Sequence, residues 1–421
     1  MTKNLVIVES PAKAKTIGRF LGKDYDVRAS NGHVRDLTKK KLPDDIVTGI
    51  ALEDDKFITR YDVIRGRGTI VAELKKAAKT AENVYLATDP DSEGEAISWH
   101  LLEAASIDIK KVKRVVFHEI TKPAIEEAFA NTRVLDINLV DAQQARRVLD
   151  RVVGFKLSPV LWRKVKRGLS AGRVQSVTVK MVVDKEKEIS DFIKEEFWTI
   201  DTILQSKNSS MFKSTLITVN DKKALIQNEE ESKNVLEKLS DALFTVSKFE
   251  TKETKKRPSP PFITSTLQQE ASRNLRFSAT RTMSVAQGLY EGKSVLSGTD
   301  EDEVGLITYM RTDSTDVSSS AITEMASFIK DKYGSDYLPE NPRKYSKKVQ
   351  GAQEAHEAIR PTSIWRTPDS LKDALNPDEL RLYRLIWRRT LASQMVDSIY
   401  DRTVIDIKAV ANNSNDFLAN L

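Results

Sequence analysis

The sequence predicts a multidomain fold that joins an α/β unit to separate α and β parts, and three observations carry that expectation. Over the first 135 residues or so, apolar strand-like runs alternate with helical patterns, as they do around a parallel sheet. From Val140 to Ile193 the pattern turns helical and basic. Further on, strand-like alternation returns on both sides of a long helical region. The 421 residues suggest three domains at about 150 residues each, and 40% hydrophobic content suffices for real cores.

Leu5-Val6-Ile7-Val8 reads as a buried strand, followed by Ser10 as helix cap and Pro11 as the first helical residue. Val84 to Ala87 reads as a second strand with a helix from Glu95 to Ala105 behind it. Val115-Val116-Phe117 reads as a third, and Thr121-Lys122-Pro123 opens another helix. Residues 33–60 fit this alternation poorly and read as an excursion, with packing on the basic segment one place for it. Between Arg146 and Lys180, ten Lys and Arg against one Asp give a local charge of +9, more than the +6 of the whole chain. Trp198, Ile200, Thr202 and Leu204 alternate within strands running from Phe197 to Val219. Residues 226–240 are polar and helical, and 243–250 are strand-like. Lys255 to Pro261 has the composition of a hinge. Helical segments follow at Thr264 to Glu291 and Ser318 to Lys332, then a basic loop from Pro339 to Lys348 and a helix near Pro377 to Val396. The last strand, Thr403 to Val410, has little chain after it, so its domain is expected to be unfinished.

Composition excludes several classes. Without cysteine there is no disulfide framework, Cys-ligated zinc or thiol nucleophile. No apolar run reaches a membrane span, and MTKNLVIVES meets Glu9 too soon for a signal-peptide core, so a soluble intracellular protein is expected. His356-Glu357 lacks the second His of a zincin motif. Gly288 to Ser294 has three residues between its glycines where a phosphate-binding P-loop has four, so no nucleotide cofactor is expected.

Three constellations carry chemistry. Asp89, Asp91 and Glu93 follow an apolar strand at alternate positions, where they can converge on a hard cation such as Mg²⁺; the plainer alternative is an acidic helix start. Glu9 and Lys13 sit at another strand end and would join that cluster if the two strands are neighbours; alone they read as a capped turn. The basic stretch combines Arg146, Arg147 and Arg173 with Ser170, Gln175, Ser176 and glycine turns, a set suited to phosphate oxygens. Tyr309, flanked by hydroxyls and Arg311, reads by itself as a core ring, although it is also a possible nucleophile.

Taken together, VESPAKAKTI, ATDPDSEGEAISWHL, FHEITKPAI, QQARRVLDRVVGF, GLSAGRVQS, LITYMRTDST and QEAHEAIRPT resemble, in order and over essentially the whole chain, the type IA DNA topoisomerases of the bacterial topoisomerase I branch. The resemblance implies ATP-independent relaxation of negatively supercoiled DNA by a cytoplasmic, nucleoid-associated monomer acting through single-stranded DNA. Tyr309 would form a 5′-phosphotyrosine, Lys13 and Arg311 would stabilise charge at the scissile phosphate, and Glu9 would exchange a proton with the 3′-oxygen. Asp89, Asp91 and Glu93 would hold Mg²⁺. His356, Arg146, Arg147, Asp150 and Glu303 match family positions around the DNA and the tyrosine, with Asp150 placed to pair with Arg146 one helical turn away. The implied fold is a ring of four domains: a TOPRIM parallel-sheet domain over 1–135, a basic helical groove over 136–193, a strand-rich arch over 194–268 and 397–421, and a mostly helical tyrosine domain over 269–396.

Two departures qualify the match. The family usually has Arg where this chain has Ser92, which alters charge balance beside the acids. Its members also continue beyond this length, many with zinc modules, so an incomplete arch is expected. The competing reading is a catalytically impaired single-stranded DNA-binding fragment of the same enzyme.

Overall fold

The computed structural model describes residues 3–205, 210–295, 303–345, 357–411 and 418–420. The chain divides into two compact units, Met1–Thr178 with Pro258–Val396, and Val179–Arg257 with Asp397–Leu421.

The first unit is built on a four-stranded parallel sheet. β1 (Asn4–Val8) starts it, α1 (Pro11–Leu21) follows, and β2 (Tyr25–Ala29) pairs with β1. Two small antiparallel sheets come next, formed by β3 (Arg35–Leu37), β4 (Asp45–Val47), β5 (Ile50–Glu53), β6 (Lys56–Thr59) and β7 (Tyr61–Val63). After α2 (Gly68–Thr80), the strand β8 (Asn83–Leu86) pairs with β1 on its other side. α3 (Ser92–Ala105) leads to β9 (Val112–Arg114), and the order is β2-β1-β8-β9. Leu5 to Val8 are fully buried because helices cover both faces, as parallel sheets require. The adjacency of β1 and β8 brings their carboxyl ends together; Ala87 N donates to Ile7 O at 2.9 Å.

Some element boundaries differ from the expectation. The third strand lies three residues earlier than Val115-Val116-Phe117, although Val115 N still donates to Leu86 O at 2.9 Å. The helix expected from Glu95 begins at Ser92 because Asp91 caps it, its side chain accepting from Gly94 N. β2 and α2 carried no clear sequence signal.

α4 (Lys122–Ala130) starts at its Thr121 cap, and α5 (Ile137–Lys164) runs 28 residues through Pro159. The excursion packs on α5: Leu37, Val47 and Ile50 share a core with Val148, and Tyr61 Oη donates to Gln144 at 3.1 Å. α6 (Gln175–Asp191) follows with no buried residue.

The second unit contains β10 (Asp201–Leu204), β11 (Phe212–Thr215), β12 (Thr218–Val219), β13 (Lys222–Lys223), α7 (Glu229–Ser240) and β14 (Ala242–Lys256). The last of these forms a long antiparallel ribbon with β17 (Ser398–Ala411), paired from Ala242↔Ala411 to Lys256↔Ser398, and β18 (Leu418–Asn420) completes the sheet. The ribbon includes Lys255 and Lys256, so only Arg257 onward can act as the expected hinge, where three prolines end the pairing.

Back in the first unit, α8 (Thr264–Leu275), α9 (Ala279–Glu291), β15 (Lys293–Ser294), β16 (Glu303–Val304), α10 (Ser319–Lys332) and α11 (Pro377–Ser393) surround the Leu306 to Met310 segment. Phe262 and Leu267 belong to this core, so the chain joins it before residue 269. The same core continues into Val6, Val8 and Ile17 of the sheet unit.

Candidate active site

Three chain segments build the site. At the end of β1, Ser10 Oγ accepts from Lys13 N at 3.3 Å and caps α1. One turn on, the Lys13 side chain is fully buried and reaches the carboxylates of Glu9 and Asp89. The β8 end is held from beneath by Arg114, whose guanidinium donates to Thr88 O at 2.9 Å and Asp89 O at 2.6 Å and pairs with Glu95 at 2.5 Å. Removing one member of such a buried pair costs roughly 3–5 kcal/mol, so this loop is strongly fixed. Gly94 is required here, since a Cβ would stand 2.1 Å from Asp89 O.

The third segment is Leu306 to Met310, every residue of it buried. Its backbone is gripped on two sides: Tyr309 N donates to His118 O at 2.8 Å and Thr308 N to Arg360 O at 2.9 Å. That grip aims Tyr309 at the acidic loop, where its Oη donates to Asp91 Oδ2 at 2.5 Å. Arg311 lies 3.9 Å from the same carboxylate oxygen.

The electrostatics follow from burial. Desolvation, with Asp89 and Asp91 alongside, holds the Tyr309 hydroxyl well above its ordinary range, so it carries its proton. Burial pushes Glu9 up to about 8, against the opposing pull of Lys13. For Lys13, burial opposes the charge, but Asp89 and Glu9 outweigh it and raise the ammonium. Glu9 Oε2 is buried without a hydrogen-bond partner.

The expected convergence of Asp89, Asp91 and Glu93 does not occur. Among the described residues no group of three or more His, Asp or Glu side chains is arranged to hold a metal. Glu93 turns instead to His33 at 2.8 Å and Gln143 at 3.3 Å. The cause is the early helix start: at 3.6 residues per turn, two helical steps rotate Glu93 by about 200° from Asp91, where an extended chain would align them. Asp89 and Asp91 remain as hard oxygen donors near the tyrosine hydroxyl.

On the basic side, Asp150 does not pair with Arg146. Arg173, brought back by the turn between α5 and α6, takes that carboxylate at 2.9 Å, while Arg146 donates to Ser92 Oγ at 2.7 Å. A guanidinium thus stands at Ser92 from a different helix. Arg147 pairs with Asp36 at 2.6 Å. Gln175 Nε2 donates to Ser170 Oγ at 3.4 Å, and Ser176 Oγ accepts from Gly172 N at 3.2 Å. Arg146, Arg147 and Arg173 line a cleft of about 400 Å³ with Glu93 and His33. Beside it, Phe155 and Trp162 line an adjoining cavity of about 560 Å³. Glu303 faces Arg19 at 2.9 Å and Lys15 at 3.1 Å on α1. His356 lies outside the described residues.

Sequence reasoning missed the direct Tyr309–Asp91 contact, the Arg114 anchor and the His33–Glu93 pair. Each joins residues 60 or more apart or a side chain to a distant carbonyl, for which a single sequence has no local signal.

Comparison with known proteins places this arrangement. The DNA topoisomerase family matches residues 134–420, and the Toprim domain family matches residues 4–120. The chain belongs to the DNA topoisomerase family. Within that family, it is 50% identical to the DNA topoisomerase 1 of Rickettsia felis over 424 residues, covering 99% of this chain and 53% of the relative. It therefore spans about half the length of the curated topoisomerase it matches. The full-length topoisomerase I of Thermotoga maritima matches with a TM-score of 0.81 and 40% identity, over 99% of this chain and 64% of that one. The topoisomerase segments quoted from the sequence supply both halves of the site: VESPAKAKTI and ATDPDSEGEAISWHL its acids and lysine, LITYMRTDST its tyrosine.

Proposed function

We propose that this chain cuts and rejoins one DNA strand through Tyr309, relaxing negatively supercoiled DNA without a nucleotide cofactor. The observation that carries the reading is the buried contact of the Tyr309 hydroxyl with Asp91, beside the Glu9–Lys13–Asp89 cluster.

In this scheme Tyr309 Oη bonds to the scissile phosphorus while Asp91 accepts its proton. The bond from phosphorus to the 3′-oxygen breaks, and Glu9, protonated at neutral pH, donates to that oxygen. Rejoining reverses each transfer, so the phosphodiester energy is conserved in the adduct. Lys13 and Arg311 offset charge on the phosphate. The Toprim match supports a divalent cation, and Asp89 and Asp91 would hold Mg²⁺, with water completing its shell as Mg²⁺ prefers. When bound, the cation supplies positive charge that orients the DNA phosphates. The cleft lined by Arg146, Arg147 and Arg173, with Phe155 and Trp162 beside it, would offer phosphate contacts and stacking surfaces for a single strand once DNA phosphates take the guanidinium groups from Asp36 and Asp150. Action as a monomer at the bacterial nucleoid completes the proposal.

The test combines a supercoiled plasmid with Mg²⁺ and no ATP, and a single-stranded oligonucleotide probed for a denaturant-resistant adduct. Relaxation and adduct, both lost in Tyr309→Phe, are expected. Binding without adduct would favour a DNA-binding fragment. Nicking that survives in Tyr309→Phe would sink the tyrosine assignment.

A further inference from the structure

We propose that Tyr290 is a positioning residue of the cleavage site, its ring holding the Lys13 ammonium from one side and fixing the ring of Tyr309 from another. The proposal rests on reading Tyr309 as the nucleophile. Tyr290 lies in the Gly288 to Ser294 segment, which as sequence is only a failed P-loop. In the fold this segment closes α9 and sets Tyr290 against Lys13 and Tyr309.

The Tyr290 ring is fully buried, and the Lys13 ammonium stands 4.9 Å from its centroid. Lys13 thus has carboxylates within bonding reach and an aromatic face beside it. A desolvated ammonium is attracted to such a face, which carries partial negative charge without accepting a proton. The Tyr309 ring meets Tyr290 at 5.3 Å with planes 63° apart, an edge contact that restricts how the nucleophile can turn.

The surroundings hold the ring in place. Glu291 Oε1 accepts from Ser10 Oγ at 2.9 Å and from Gln287 at 2.8 Å, while Glu291 O accepts from Thr16 Oγ1 at 3.1 Å. Gly292 then turns away at φ +130°, where a Cβ would lie 2.6 Å from Thr16 Oγ1. Leu306 N donates to Leu289 O at 2.7 Å, tying the tyrosine segment to the same helix end. The end of α9 is therefore pinned both to the helix that carries Lys13 and to the buried segment that carries Tyr309. The Tyr290 hydroxyl, by contrast, is buried without a hydrogen-bond partner, so the ring and not the hydroxyl makes the contacts.

The experiment replaces Tyr290 in the 421-residue chain by Phe, and then by phenylalanines bearing one, two and three ring fluorines. These draw electron density from the face at nearly constant shape. Cleavage of a single-stranded oligonucleotide is measured at saturating DNA, with DNA affinity and thermal midpoint in parallel. Tyr290→Phe is expected to cleave within about twofold of the parent, and the fluorinated series to slow stepwise by on the order of tenfold in all, at unchanged affinity. A flat series overturns the proposal. A series in which affinity and thermal midpoint fall together with rate overturns it too, since the ring would then be general packing. Adduct formation that survives in Tyr309→Phe, run alongside, would overturn the nucleophile assignment and the proposal with it.

Discussion

Glu9 is two residues from a helix start and would titrate as an ordinary carboxylate in an open chain. Burial between β1, α1 and the β8 loop pushes it up to about 8. Adduct formation that depends on its proton is expected to decline as pH rises through about 8, and Glu9→Gln is expected to lack that decline. The same shift has a stability consequence. Because the folded value lies above the ordinary 4.5, the contribution of Glu9 is complete below about 4.5 and is lost as pH rises through about 8. Urea denaturation should therefore show the parent losing stability relative to Glu9→Gln between pH 6 and pH 9. A gap that stays constant across that range would remove the basis for Glu9 as proton donor. Ser10 as cap and Pro11 as first helical residue were legible in the sequence, because a cap depends on the three or four residues after it. The partners of Lys13 were only conditionally legible: Glu9 is local, but Asp89 arrives through sheet order. Asp150 shows the opposite case, a local pairing that was geometrically available and lost to Arg173 from the next helix.

At the scale of elements, strand and helix type followed from pattern wherever burial was one-sided or complete, as in β1, β8 and α9. Lengths followed less well. The ribbon of β14 and β17 extends well beyond its expected cores at 243–250 and 403–410, since backbone pairing continues where side chains are polar and exposed. α6 buries no residue. Val177, Val179, Met181 and Val182 are each more than half exposed along it. These side chains are spread around the helix, and exposed apolar surface of this kind favours association. The 421-residue chain is expected to bind a hydrophobic dye and to self-associate at raised concentration. Lys at Val179 and Val183 should lower both effects and leave the melting midpoint within a few degrees, surface changes being worth about 0.5 kcal/mol or less. Dye binding unchanged in that double variant would place the exposed apolar surface elsewhere.

At the scale of the molecule, the modest +6 conceals a basic stretch of +9 and acids gathered at strand ends. Affinity for a single-stranded oligonucleotide should fall steeply with salt, and Arg146→Gln and Arg173→Gln should each reduce the logarithmic salt slope by about 0.7 if each contacts one phosphate. Slopes identical to the parent would take those guanidinium groups out of the DNA path. The amino-acid sequence by itself determined the parallel-sheet start, the helix caps, the basic segment and the seven ordered motifs that signal the topoisomerase family, because all of these are properties of near neighbours in the chain. Tertiary structure decided which groups meet. β1 lying beside β8 delivers Glu9 and Lys13 to Asp89, and the helix beginning at Ser92 turns Glu93 to His33. The grip of His118 and Arg360 on the tyrosine segment sets Tyr309 on Asp91 and edge-on against Tyr290. Burial then shifts the ionisation of these groups, and burial depends on every element packed around them at once.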